Sequence, residues 1–165
     1  MGSFRNEGSF YGIASEKGLK FEHGLTLGCG VGRCERGLMA QGICRSFYGI
    51  DVSENAITKA REIAKEQQLS VTYEVADLNY VQLPENRFDL VVAQTCLHHI
   101  LFLERVAEQT WRSLKTNGYL WIHDFVGETQ FQFDANRLSL ANRVLAISSG
   151  KASQKSNYRS FSSGA

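Results

Sequence analysis

Three glycines at alternate positions close the run Leu25-Thr26-Leu27-Gly28-Cys29-Gly30-Val31-Gly32. Nothing else in the 165 residues limits the fold as much. The run reads as a buried strand that stops at a turn with no room for side chains. A helix follows over Arg33–Gln41, with Leu38 and Met39 available for burial. A glycine turn between strand and helix lets a ligand approach the backbone closely, and the helix N-terminus presents N–H groups to it.

The spacing then narrows the ligand. The dinucleotide fingerprint is Gly-x-Gly-x-x-Gly, and the place of its third glycine is held here by Arg33. A second strand-like run, Ser46-Phe47-Tyr48-Gly49-Ile50, ends in Asp51. A carboxylate at that point can accept from both hydroxyls of a ribose. That supports nucleoside binding without choosing between a dinucleotide and S-adenosylmethionine. A third run, Glu74-Val75-Ala76-Asp77-Leu78, puts another carboxylate where an adenine amino group would lie. A fourth, Phe88–Ala93, is followed by Gln94-Thr95-Cys96-Leu97-His98-His99-Ile100.

These four blocks, in this order over about Leu25–Phe125, resemble the class I S-adenosylmethionine-dependent methyltransferases, in particular their small-molecule group. The resemblance implies an α/β, Rossmann-like three-layer sandwich whose parallel sheet is ordered 3-2-1-4-5. It implies S-adenosylmethionine as cofactor, held by Gly28, Cys29, Gly30, Gly32, Asp51, Val52, Asp77, Leu78 and Gln94. The acceptor would be a small molecule. The family usually carries an acid where this chain has Thr26, an acid that helps order the amino end of the cofactor. Complete members add late antiparallel strands for which no sequence is found here, so a truncated sheet is expected. No catalytic residue is assigned; His98, His99, His123 and Asp124 are candidates for orienting or deprotonating an acceptor. Two other readings stay open: a nucleoside-binding protein without activity, and an NAD-binding oxidoreductase fragment.

Strand and helix alternate from Gly24 onward, which means parallel strands joined by right-handed crossovers. Helices are expected at Glu54–Gln67, capped by Ser53, and at Leu101–Leu114, stopped by Asn117-Gly118; a strand follows at Tyr119–Phe125. The chain reads as one domain. Residues 1–23 form an N-terminal arm whose Tyr11 is a candidate cover for the ligand. Residues 24–126 form the cofactor-binding core, 127–147 a helix or partial lid, and 148–165 a flexible Ser- and Gly-rich tail. Gly28, Asp51, Asp77 and Gln94 all fall at carboxyl ends of strands, where doubly wound sheets bind ligands.

Composition excludes more than it selects. A net charge of +1 gives no case for nucleic acid or an anionic membrane, and no run is apolar enough to span a bilayer. Cys29, Cys34, Cys44 and Cys96 match no zinc spacing, so no metal is expected. Reduced thiols and a cytoplasmic setting follow. The apolar strand Tyr119–Phe125, with no later strand beside it, is an edge that invites a homodimer.

Overall fold

The computed structural model describes residues 10–125, 136, 138–140, 142 and 143. The chain divides into two compact units, Met1–Phe125 and Val126–Ala165. The described residues of the second unit are helical. The lid and tail expected after residue 126 otherwise lie outside the described residues.

The first unit runs α1 (Phe10–Glu16), β1 (Phe21–Leu27), α2 (Arg33–Ala40), β2 (Cys44–Asp51), α3 (Glu54–Glu66), β3 (Val71–Val75), β4 (Phe88–Gln94), α4 (Leu103–Ser113) and β5 (Leu114–His123). A 3-10 turn covers Leu97–His99. Among the described residues all strand pairs are parallel, as the alternation predicts, and the sheet order is β3-β2-β1-β4-β5, as the resemblance implies. β3 and β5 are its edges.

Alternation along the strands sorts the core into two layers. Leu25, Leu27, Ile50, Val91 and Ala93 face one side and pack with Val106 of α4. Leu90 and Val92 face the other, packing with Phe10, Ala14 and Leu38 of α1 and α2. α3 continues that second layer, setting Ile57, Ala60 and Ala64 against Tyr73. Its N-cap is Ser53, whose Oγ accepts from Ala56 N at 3.3 Å.

Three parts differ from the sequence reading. Residues 10–23 are docked on the sheet: Phe10 makes a tilted ring contact with Trp121 at 4.9 Å, and Phe21 meets Tyr119 edge-on at 5.4 Å. β1 therefore starts at Phe21, where Asp89 carboxylate oxygens accept from Glu22 N and His23 N and extend the pairing by a side chain. Asn117, at φ 65°, does not end α4. The helix stops at Ser113, and β5 begins at Leu114 beside Phe88, with a register shift before Tyr119 pairs with Leu90.

Candidate active site

The glycine turn joins β1 to α2 under the carboxyl end of β2. Cys29 N donates to Ile50 O at 2.9 Å, which locks the turn to the neighbouring strand. Gly28 sits at φ +62°, and a Cβ there would lie 2.5 Å from Cys96 Cβ. Gly32 sits at φ +74°, and a Cβ there would run into the Tyr73 hydroxyl. Left-handed backbone and lack of space thus both require glycine.

Asp51 organises this turn. Its Oδ2 accepts from Gly30 N at 2.7 Å and its Oδ1 from Ser53 N at 2.9 Å. Each oxygen keeps a lone pair for a further donor. Asp77 Oδ1 accepts from both Asn79 N and Asn79 Nδ2 at 2.8 Å, leaving Oδ2 without a partner among the described residues. Asn79 Oδ1 in turn accepts from Leu101 N and Phe102 N, tying the loop after β3 to the one after β4.

These groups border a cavity of about 350 Å³ at the carboxyl ends of the strands. Of the residues expected there, Gly28, Asp51, Val52, Asp77 and Leu78 line it. Cys29, Gly30 and Gly32 shape the turn without lining the cavity. Gln94 lies in a second hollow of about 240 Å³, with Tyr11, Trp121 and His123. Tyr11 donates to Cys34 O at 3.4 Å and packs on Gly37 of α2, away from the Asp51 cavity. The cavity also takes in Ala76, Asn79, Thr95, Cys96, His99 and Ile100. Thr95, at φ 50°, was legible only as part of the block after β4; such strain in a non-glycine residue gathers at working sites.

Among the described residues no Lys or Arg lines the cavity, whereas two carboxylates do. A dinucleotide pyrophosphate needs cations or free N–H groups at the turn. Here Asp51 already occupies the Gly30 N–H. The same arrangement suits two ribose hydroxyls, an adenine amino group and a positively charged sulfonium. The cavity's size and its two acceptor carboxylates thus fit S-adenosylmethionine. Among the described residues no three His, Cys, Asp or Glu side chains gather as a metal site. All four cysteines are free. Burial pushes their thiols up, Cys34 and Cys44 to about 11 and Cys96 to about 12, so none is a ready thiolate.

Beside the turn lies a feature that sequence patterning did not reveal. Glu35, in the first turn of α2, is fully buried. It sits over the lateral row Thr26–Gly49–Tyr73, set by the strand register. The Thr26 hydroxyl, both Glu35 oxygens and the Tyr73 hydroxyl all lack a well-formed hydrogen bond. Burial raises the Glu35 carboxyl to about 7; the nearby Thr26 hydroxyl and Arg36 guanidinium pull it only partly back.

At the ends of β4 and β5, Asp124 is held by its neighbours. Its Oδ2 accepts from Cys96 N at 2.9 Å and Leu97 N at 2.7 Å, and its Oδ1 from Phe125 N at 2.8 Å. The fourth contact is to His98 Nδ1 at 2.6 Å. Burial pushes this carboxyl up, but the His98, Leu97 and Phe125 hydrogen bonds outweigh that and hold it at about 2. Of the four candidates after β4 and β5, the structure joins His98 with Asp124, sets His99 on the cavity, and turns His123 to the second hollow.

The family described as methyltransferase domain matches residues 25–122. A ubiquinone biosynthesis O-methyltransferase of Coxiella burnetii is 30% identical over 103 residues, 62% of this chain and 43% of that protein. Human mitochondrial arginine-hydroxylase NDUFAF5 is 32% identical over 68% of this chain and 31% of its own length. A solved S-adenosylmethionine-dependent methyltransferase of Mesorhizobium loti superposes with a TM-score of 0.58 at 27% identity, over 70% of this chain and 54% of that one. The chain thus spans less than half the length of these two curated relatives. With the matched residues covering β1 to β5 and the glycine turn, Asp51 and Asp77 on one rim, the chain belongs to the class I S-adenosylmethionine-dependent methyltransferase family.

Proposed function

We propose that this protein binds S-adenosylmethionine in the cavity bordered by Gly28, Asp51 and Asp77 and transfers its methyl group to a small-molecule acceptor. The observation that carries the reading is the cavity's charge: two carboxylates and, among the described residues, no lining cation, with the turn's Gly30 N–H already taken by Asp51. Asp51 receives the ribose hydroxyls, Asp77 Oδ2 the adenine amino group, and Val52 and Leu78 offer apolar surface for the base. Cys29, Gly30 and Gly32 hold the turn in shape. When bound, the sulfonium supplies an already activated methyl group, so the protein's work is alignment and exclusion of water.

The acceptor's oxygen is the reading favoured by the O-methyltransferase relatives. The four unpaired thiols support a cytoplasmic setting. No described helix is long and apolar enough to cross a membrane.

Calorimetry tests the cofactor. S-adenosylmethionine and S-adenosylhomocysteine should bind and NAD should not. Asp51→Ala should weaken binding by about 1.5–3 kcal/mol through lost charge-assisted hydrogen bonds. Heat from NAD alone would overturn the assignment.

A further inference from the structure

We infer that Glu35 is a positioning residue of the cofactor turn and that its side-chain proton trades places with the positive charge of S-adenosylmethionine. The cation drives the proton from the buried carboxyl to solvent, and the uncharged sulfur of the product S-adenosylhomocysteine lets it return. The inference deepens the methyl-transfer reading and rests on it.

A sealed polar cluster stands behind the glycine turn. Thr26 lies two residues before Gly28 and Glu35 three residues after Gly32, so the cluster touches both ends of the turn. Thr26, Glu35 and Tyr73 are all buried. Gly49 leaves the space between them: a Cβ there would lie 3.0 Å from Glu35 Oε1 and 2.7 Å from the Tyr73 ring. Tyr73 also closes on Gly32, where a Cβ would run into its hydroxyl. Four oxygens meet here without a well-formed hydrogen bond, and two of them are hydroxyls able to donate. While Glu35 keeps its proton, the cluster is neutral and loosely bonded. Once ionised, the carboxylate has two acceptor oxygens and two hydroxyl donors beside it, Thr26 and Tyr73. Those bonds would draw β1, β3 and α2 together around the turn.

The charges facing Glu35 are nearly balanced. Tyr11 of α1, Cys29 of the turn, Cys34 of α2 and Tyr73 of β3 are all pushed up by burial and stay neutral at pH 7. Among the described residues that leaves Arg36, which favours the ionised carboxyl, and Asp51, which opposes it. Asp51 is also the carboxylate that borders the cofactor cavity and holds the turn through Gly30 N. The Glu35 carboxyl titrates at about 7, so a cation entering beside Asp51 tips it toward ionisation. S-adenosylmethionine and S-adenosylhomocysteine differ by one methyl group and one positive charge, so the pair isolates the effect. By linkage, cofactor binding gains more than product binding as pH rises through 7, and acidification erodes that preference.

The test is calorimetry on the full chain, with each compound, from pH 5.5 to 8.5. The readout is the ratio of product Kd to cofactor Kd, taken relative to Glu35→Gln so that the ligands' own titrations cancel. That ratio should rise about 3- to 10-fold across the range, as expected when a charge lowers the carboxyl by about half to one pH unit. At pH 6.5, in two buffers of different ionisation heat, cofactor binding should release a fraction of a proton that Glu35→Gln does not release. Carbon NMR of the Glu35 carboxyl in the wild type reads the same event without the variant. Its titration midpoint should be lower with S-adenosylmethionine than with S-adenosylhomocysteine. A merely structural glutamate would titrate alike with both. Equal midpoints, or the same pH dependence of the Kd ratio in wild type and Glu35→Gln, would overturn this inference alone. Failure of both compounds to bind would overturn the methyl-transfer reading and this one with it.

Discussion

Replacing Glu35 with Gln should stabilise the protein by about 3 kcal/mol above pH 7 and by only about 1 kcal/mol near pH 5. The carboxyl titrates at about 7 in the folded protein, against a usual glutamate value of 4.5. Between those values the folded state holds a proton that the unfolded chain has released. The neutral carboxyl's contribution is therefore intact below 4.5 and is lost as pH rises through 7. The gap, at about 1.36 kcal/mol per pH unit, comes to about 3 kcal/mol. Gln keeps the size and the neutrality of the protonated side chain, so the variant should not suffer that loss. Urea unfolding of both proteins from pH 5 to 8.5, at one temperature, gives the comparison. The difference between them should grow from about 1 kcal/mol at pH 5 to about 3 kcal/mol at pH 8.5, and any titration common to both proteins cancels. Parallel curves would show that Glu35 ionises without cost, and the account of its burial would fail.

Two further outcomes follow from the turn and the sheet edge. Gly28→Ala adds a Cβ 2.5 Å from Cys96 Cβ on a left-handed backbone. It should cost about 2–3 kcal/mol; a melting temperature equal to wild type would refute the packing described. At the β5 edge, Tyr119, Leu120 and Ile122 remain about half exposed, which supports association of two copies. Light scattering should find a dimer that Leu120→Lys disrupts, and a wild-type monomer at high concentration would refute it.

The parallel pairing was legible because strand and helix periods alternate cleanly from Gly24 onward, whereas the strand order followed only from the family resemblance of the four motif blocks. Asp51 and Asp77 were legible because each follows an apolar run, and runs of that kind end at the ligand rim. α1 was not legible: seven residues with Gly12 inside give no period, and the helix exists because Phe10 finds Trp121. The burial of Glu35 was equally hidden, since a carboxylate in a helix's first turn ordinarily faces water. The His98–Asp124 pair spans 26 residues. It depends on the register that sets Gln94 beside His123, and no local pattern reports that. β5 was placed late because Asn117-Gly118 reads as a stop, although the chain there merely shifts register.

Main-chain hydrogen bonds stitch the rim from strand end to strand end. Ala76 N donates to Asp51 O at 3.1 Å, Thr95 N to His123 O at 2.8 Å and Cys29 N to Ile50 O. Each loop is thereby fastened to the strand beside it before any ligand arrives. Little loop entropy is then left to lose on association, so contact energy goes into affinity rather than into ordering the site. The same stitching makes the rim share its faults, because a slip at one strand end is passed to the loop next door.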